Sequence, residues 1–231
     1  MKLIFDIGFN HGEFTNACFE KFPNIQVVAV EANPNLCTKT SNDNFALVNR
    51  LVSDKDDEEI DFFIEHNADG ISTASPEFMS SSRFTKGSKY ITTTNNHNWS
   101  DAVKIPSITL DKLIENYGTP DLIKVDVEGY EYNVLKGLTN KAKDICFEYH
   151  EEMEEEIFKI VKHLESIGYN SFGMIGYFDE EDIFNEVTHS DKGDPYLEYP
   201  KSFHTFKELK IDRFINKDRR VNYGMMFATI K

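Results

Sequence analysis

Two stretches of this chain constrain its fold more than any others: FDIGFNHGEFT at residues 5–15 and DLIKVDVEGYE at residues 121–131. Each is a short apolar strand that stops at an acidic residue and turns through glycine toward a helix. Strands of this kind belong to a mainly parallel sheet covered by helices on both faces, joined by right-handed crossovers. Ligands of such sheets bind at the carboxyl ends of the strands. Both stretches put carboxylates and glycines at such an end.

The remainder of the chain follows the same alternation. Strands are expected at residues 2–5, 25–30, 45–52, 60–64, 122–125, 145–149, 169–175 and 225–230. Helices are expected at 12–21, 109–117, 129–138 and 151–167. Another should begin at Asn33-Pro34, because Asn caps free backbone N–H groups and Pro suits the first helical turn. Met153, Ile157, Ile160, Val161 and Leu164 form a helical apolar stripe. Glu151, Glu152, Glu154, Glu155 and Glu156 read as the solvated start of that helix, where negative charge suits the dipole, and not as a metal site.

One domain spanning residues 1–231 is expected, with insertions at about 66–104 and 176–224. The first is rich in Ser, Thr and Asn; the second carries Tyr177, Phe178, Tyr196, Tyr199, Phe203, His204 and Phe206. Both exceed what a connection needs, and structureless segments of that length in a compact domain are often lids.

Composition narrows the partners. Forty acidic residues against 25 basic ones leave a formal charge of −15, which repels phosphate backbones. No nucleic-acid partner is expected; a neutral, cationic or small one fits better. Cys18, Cys37 and Cys146 are scattered without paired spacing, which argues against a disulfide framework or a thiolate metal site. The start MKLIFD enters a strand at once, and no apolar run is long enough to cross a bilayer, so a cytosolic protein without a membrane partner is expected.

At the first turn, Gly8 and Gly12 let backbone approach a ligand, and the following helix start offers free N–H groups. Asn10 adds an amide. The turn departs from the three-glycine dinucleotide fingerprint, and Asp6 at the strand end disfavours a pyrophosphate while suiting a cationic sulfonium with an α-amino group. Glu31, at the end of the second strand, can accept hydrogen bonds from both hydroxyls of a ribose. Asp54 either meets an adenine amino group or is a solvated acid in the turn 54–59.

The block SITLDKL at 107–113, PDLIKVDVEGYE at 120–131 and VLKG at 134–137 resembles the hallmark of the FkbM-type methyltransferases. The first turn, the VEANP run at 30–34 and the FEYH run at 147–150 are similar to further motifs of that family. The resemblance covers roughly residues 2–175 and stops at the two insertions. It implies an α/β, Rossmann-like class I methyltransferase fold: a seven-stranded, mostly parallel sheet with an antiparallel last strand. It also implies S-adenosyl-L-methionine (SAM) as cofactor and a hydroxyl acceptor on a sugar, glycan or small metabolite. By the same resemblance, Asp6, Gly8, Asn10, Gly12 and Glu31 hold the cofactor, and Asp126 lies near its methionine moiety and the acceptor.

A hydroxyl acceptor must lose a proton, which calls for a general base. Asp126 and His150 are the candidates at adjacent strand ends; His150 ordinarily titrates near neutral pH, and its other reading is a cap on the helix that follows. Asp126 with Glu128 or Glu148 offers oxygen ligands for a divalent cation, although no metal is assigned. Lys124 can pair with a neighbouring acid in the sheet, and Glu131 can face solvent. The competing readings are an NAD-dependent oxidoreductase and a non-catalytic binding module on the same fold.

Overall fold

The computed structural model describes residues 1–37, 43–86, 97, 99, 101–176, 197, 199, 200, 203–205 and 223–230. Ten strands are defined among them: β1 (Leu3–Ile7), β2 (Gln26–Glu31), β3 (Phe45–Asn49), β4 (Leu51–Val52), β5 (Glu59–Ile64), β6 (Asp101–Ile108), β7 (Leu122–Val125), β8 (Asp144–His150), β9 (Ser171–Gly176) and β10 (Tyr223–Thr229). Five α-helices accompany them: α1 (Glu13–Lys21), α2 (Pro76–Ser81), α3 (Leu110–Tyr117), α4 (Glu131–Lys136) and α5 (Glu154–Ser166).

Seven strands form the main sheet in the order β3-β2-β1-β7-β8-β10-β9. The pairs from β3 through β8 are parallel, and β10 runs antiparallel to both neighbours. Chain order reverses between β1 and β7, so the crevice above their carboxyl ends is the topological switch point where α/β sheets bind ligands. This is the seven-stranded, mostly parallel architecture expected from the sequence.

Alternation along the strands explains why both faces are covered. Phe5, Ile7, Ile123, Val125, Ile145 and Phe147 point to one face and pack with Leu110 and Leu113 of α3, Val134 and Leu135 of α4 and the Ile157–Leu164 stripe of α5. Ile4, Leu122 and Cys146 point to the other and meet Phe14 and Cys18 of α1. Cys18 and Cys146 are buried and Cys37 half-buried, all three as free thiols. Among the described residues no helix is long and apolar enough to cross a membrane.

Several expectations are corrected. The single strand at 45–52 divides at Arg50: the Asn49 side-chain amide donates to the Glu31 carbonyl at 2.8 Å, closing the ladder to β2. β4 then pairs with β6 in a second sheet of order β4-β6-β5. The segment 66–104 is not structureless. It contains a 3-10 turn at Asp69–Ile71, helix α2 and the first residues of β6. Ser75 caps α2 by accepting from the Phe78 N–H, with Pro76 in the first turn. Residues 87–96, 98 and 100, and most of 176–224, lie outside the described residues.

At Asn33-Pro34 the described residues make only a turn, in which Asn33 Oδ1 accepts from the Asn35 N–H at 3.1 Å and its carbonyl from Leu36. Residues 38–42, where a helix would continue, lie outside the described residues.

The acidic start of the 151–167 helix is not uniformly solvated. Glu152 is fully enclosed and paired with Arg83, whose Nε and Nη2 donate to its two oxygens at 2.9 Å each. Its Oε1 also accepts from the Arg83 N–H. Glu156 accepts from the Tyr132 N–H, tying α5 to α4.

The Arg83–Glu152 fork fastens the segment after α2 to the end of β8, and both side chains are nearly excluded from water. Removing one partner strands a buried charge. Arg83→Met alone and Glu152→Gln alone should each lower unfolding free energy by about 3–5 kcal/mol, with the double variant recovering part of the loss. Denaturant melts of the three variants test this; additive losses would show the pair to be uncoupled.

Candidate active site

A cavity of about 320 Å³ opens at the switch point, a volume typical of small-molecule sites. Gly8, Asn10, Glu31, Asp126, Val127 and Glu128 line it from the ends of β1, β2 and β7. Ile7, Val30, Leu51, Val52 and Phe62 supply an apolar wall. Asp69, Gly70, Ile71 and Ser72, from the segment read as a lid, close another side.

The first turn is held open by its backbone. Gly8 has φ +83°, and a Cβ there would sit 1.8 Å from the Asp126 carbonyl oxygen. Only glycine lets β1 and β7 approach so closely. The Gly8 N–H donates to the Val30 carbonyl and the Asp126 N–H to the Ile7 carbonyl, which locks the three strand ends together. Asn10 itself takes φ +48°, a left-handed conformation that Asn adopts more readily than most residues. Its N–H donates to Glu31 Oε2 at 2.8 Å, while Glu31 Oε1 accepts from the Asn33 N–H at 2.6 Å. Burial raises the Glu31 carboxyl above its ordinary range, and those two N–H donors oppose the rise. Each oxygen keeps lone-pair capacity toward the cavity. Asn10 Oδ1 is buried without a hydrogen-bond partner, an acceptor left for a ligand.

Beneath the turn lies Lys124, 3% exposed. Its Nζ donates to the Gly8 carbonyl at 2.7 Å and stands 3.2 Å from Asp6 Oδ1 and 3.7 Å from Asp126 Oδ2. Asp6 is fully buried and accepts from the Thr15 hydroxyl of α1 at 2.6 Å. Burial raises its carboxyl, against the opposing pull of Lys124 and Thr15. Asp6 therefore acts from below, through Lys124 and the turn, and is not a lining residue.

The other expected site residues fall in different places. Gly12, φ +79°, starts α1 against the Phe9 ring and does not line the cavity. Asp54 is also outside the lining and pairs with Lys136, which holds its carboxyl below the ordinary range. Asp126 reaches the cavity. His150, at the end of β8, does not; it is 4% exposed, beside Glu148 and Glu128. Burial alone would lower its pKa, but the Glu148 and Glu128 carboxylates outweigh that and push it up to about 10. Glu131 is not solvent-facing: it is buried and accepts from the Val127 and Gly129 N–H groups, closing the turn it belongs to.

Lining residues missed in the sequence are Arg50, Phe62, the 69–72 turn and Tyr130. Tyr130 follows Gly129 directly and was within reach of motif reading. The 69–72 turn carries no such signal; Trp99 Nε1 donating to the Ile71 carbonyl at 2.8 Å, and His11 meeting Asp69 at 3.0 Å, hold it over the cavity.

The methyltransferase FkbM domain matches residues 6–171, and the chain belongs to that methyltransferase family. With its sheet order, it has the Rossmann-like class I methyltransferase fold. Among solved structures it is similar to precorrin-6Y C5,15-methyltransferase from Geobacter metallireducens GS-15, at 11% identity and TM-score 0.45, covering 100% of this chain and 80% of that one. It is also similar to the N-terminal domain of EvdMO1 with SAH and D-fucose (10% identity, TM-score 0.35, 100% and 76% coverage). A third is the plantazolicin methyltransferase BpumL with SAH (9% identity, TM-score 0.35, 100% and 76% coverage). No curated protein matches the sequence.

Gly8→Ala combines an unfavourable φ with a backbone clash and should destabilise the fold by more than about 1 kcal/mol, read as a lowered melting temperature. Gly70→Ala, whose Cβ would lie 3.3 Å from Asn10 Nδ2, should melt close to wild type. Equal melting of the Gly8 variant and wild type would contradict the close approach.

Proposed function

We propose that the cavity binds SAM and that the enzyme methylates a hydroxyl on a sugar, glycan or small metabolite. The observation that carries this reading is the pairing of Glu31 and Asn10 within one cavity: a carboxylate with free lone pairs at the end of β2, and the unpartnered Asn10 Oδ1 at the β1 turn. Glu31 suits the two hydroxyls of a ribose, and Asn10 Oδ1 suits the α-amino group of a methionine moiety. The apolar wall with Leu51, Val52 and Phe62 suits an adenine face. When bound, the cofactor supplies an electrophilic methyl group on a sulfonium.

The chain's own contribution is positioning and charge. Methyl transfer is an in-line displacement, so fixing the acceptor oxygen opposite the methyl group supplies much of the rate. Asp126 lines the cavity, which supports it as the side chain that takes the acceptor's proton. His150, outside the lining, can act on the acceptor only through Glu128 or Glu148. The lining acids Glu31, Asp69, Asp126 and Glu128, against Arg50, favour a cationic ligand over a pyrophosphate. That is the ground for preferring SAM over NAD. A cytosolic setting and the lack of a nucleic-acid partner belong to the same proposal, the latter supported by the net charge of −15.

Calorimetry with S-adenosylhomocysteine and NAD separates the readings: the first should bind and the second should not. Glu31→Gln should weaken S-adenosylhomocysteine by at least about tenfold, as expected for a lost hydrogen bond to a charged group. NAD binding instead would transfer the protein to the oxidoreductase reading.

Asp126→Ala tests the reacting end. With acceptors drawn from hydroxylated sugars and metabolites, turnover should fall by about 10²–10⁴-fold with the cofactor still bound. Turnover equal to wild type would remove Asp126 from the reaction.

A further inference from the structure

Beside the cavity three side chains converge, of which Glu128 alone reaches its lining. Glu148 and His150 project from β8 two residues apart, hence to the same side of the sheet. Glu128 reaches them from the turn after β7, where its backbone is left-handed at φ +54°. His150 Nε2 lies 3.1 Å from Glu148 Oε2 and 3.7 Å from Glu128 Oε2, and one ligand atom from each residue lies within 4.8 Å of the other two. Two donors on one cation, at metal–ligand bonds of about 2.1 Å, stand about 3.0–3.4 Å apart. Two of the three separations are therefore near coordination spacing, and the third has to close by a side-chain shift.

What distinguishes this cluster from an ordinary acidic patch is burial with a ring nitrogen left unpartnered. Glu148 is 7% exposed and His150 4%. Glu128 Oε2, Glu148 Oε2 and both ring nitrogens of His150 are enclosed; Nε2 faces the two carboxylate oxygens, and Nδ1 has no hydrogen-bond partner among the described residues. Buried polar atoms left in this condition are costly, and buried charges pair or bind metals. The nearby lysine and arginine are committed elsewhere, Arg83 to Glu152 and Lys124 to Gly8, Asp6 and Asp126, so the His150 ring is what faces the two carboxylates. Asp126 also meets Glu148, adding a further carboxyl to the group.

We propose that Glu128, Glu148 and His150 form a binding site for a divalent transition-metal cation at the edge of the cavity. One imidazole nitrogen with two carboxylate oxygens suits Mn²⁺ or Zn²⁺ better than Mg²⁺ or Ca²⁺, which take oxygen ligands. Because Glu128 also lines the cavity, the remaining coordination positions are within reach of water or of a hydroxyl oxygen brought there. That last consequence rests on the methyl-transfer reading; the cation site does not.

The test is a titration of chelator-stripped, full-length protein with Mn²⁺ alone, followed by the loss of the free-ion paramagnetic resonance signal. One Mn²⁺ per chain should be taken up saturably. Glu148→Gln and His150→Gln should each weaken uptake by at least about tenfold, since losing a supporting shell alone costs that much. Circular dichroism checks that the variants fold, and anomalous diffraction from wild-type crystals soaked in Mn²⁺ should place the ion between the three side chains, independent of either variant. No saturable Mn²⁺ binding by wild type, or unchanged uptake in both folded variants, overturns the proposal. S-adenosylhomocysteine is titrated separately: its failure to bind would overturn the cofactor reading, while the cation result stands apart.

Discussion

The site depends on one buried ammonium. Lys124 Nζ holds the Gly8 carbonyl, faces the Asp6 carboxylate and stands near Asp126, so it connects the strand ends of β1 and β7 from below. Burying a cation is expensive unless its protons find partners. Here the partners are the loop backbone and carboxylates that the cavity itself needs in place. The close approach at Gly8 and the Asp126 N–H to Ile7 carbonyl bond continue the parallel β1–β7 pairing at the same junction. Without Lys124, Asp6 would be a buried acid beneath a turn with only the Thr15 hydroxyl to answer it.

Much of the block that resembles the FkbM signature performs this kind of stitching. Asp111 accepts from the Thr139 and Asn140 N–H groups and so fixes the turn after α4. Ser107 donates to the Lys55 carbonyl and accepts from the Glu58 N–H, joining β6 to the turn before β5. Gly137 is packed so tightly that a Cβ would lie 2.3 Å from the Ser53 carbonyl oxygen. Glu131 spends its carboxylate on two backbone N–H groups. A motif of this kind identifies the fold through its backbone constraints; few of its members reach the cavity, Asp126 and Glu128 among them.

This division explains what could be read from residues alone. The strand ends at Asp6, Glu31 and Asp126 were legible because largely apolar strands stop there and glycine or asparagine follows. The second sheet was not. β5 and β6 alternate weakly, with several exposed positions each, and the start of β6 lies in a Ser- and Asn-rich context. Glu152 looked like a helix-start acid because its partner, Arg83, is 69 residues earlier. The 69–72 turn became a wall of the cavity through Trp99 and His11, contacts that no local pattern announces. His150 was legible as a residue at a strand end, but its distance from the cavity lining and its two carboxylate neighbours were not.

The charge pattern links these levels. The long-range surface charge of −15 says little by itself, since a solvated acid contributes mostly to solubility. Inside the crevice the same sign has consequences, because water no longer screens it well. The first-turn acid, Asp6, is already answered by Lys124, so it contributes little net field above the loop. Glu31, Asp126 and Glu128 remain at the cavity, and the proposed preference for a cationic ligand rests on them, although burial raises the Glu31 and Glu128 carboxyls. A glycine turn at a helix start would ordinarily attract phosphate. In this chain the proposed departure from that preference rests on the carboxylates around the turn, and their position follows from where three strands end, not from the composition of the whole.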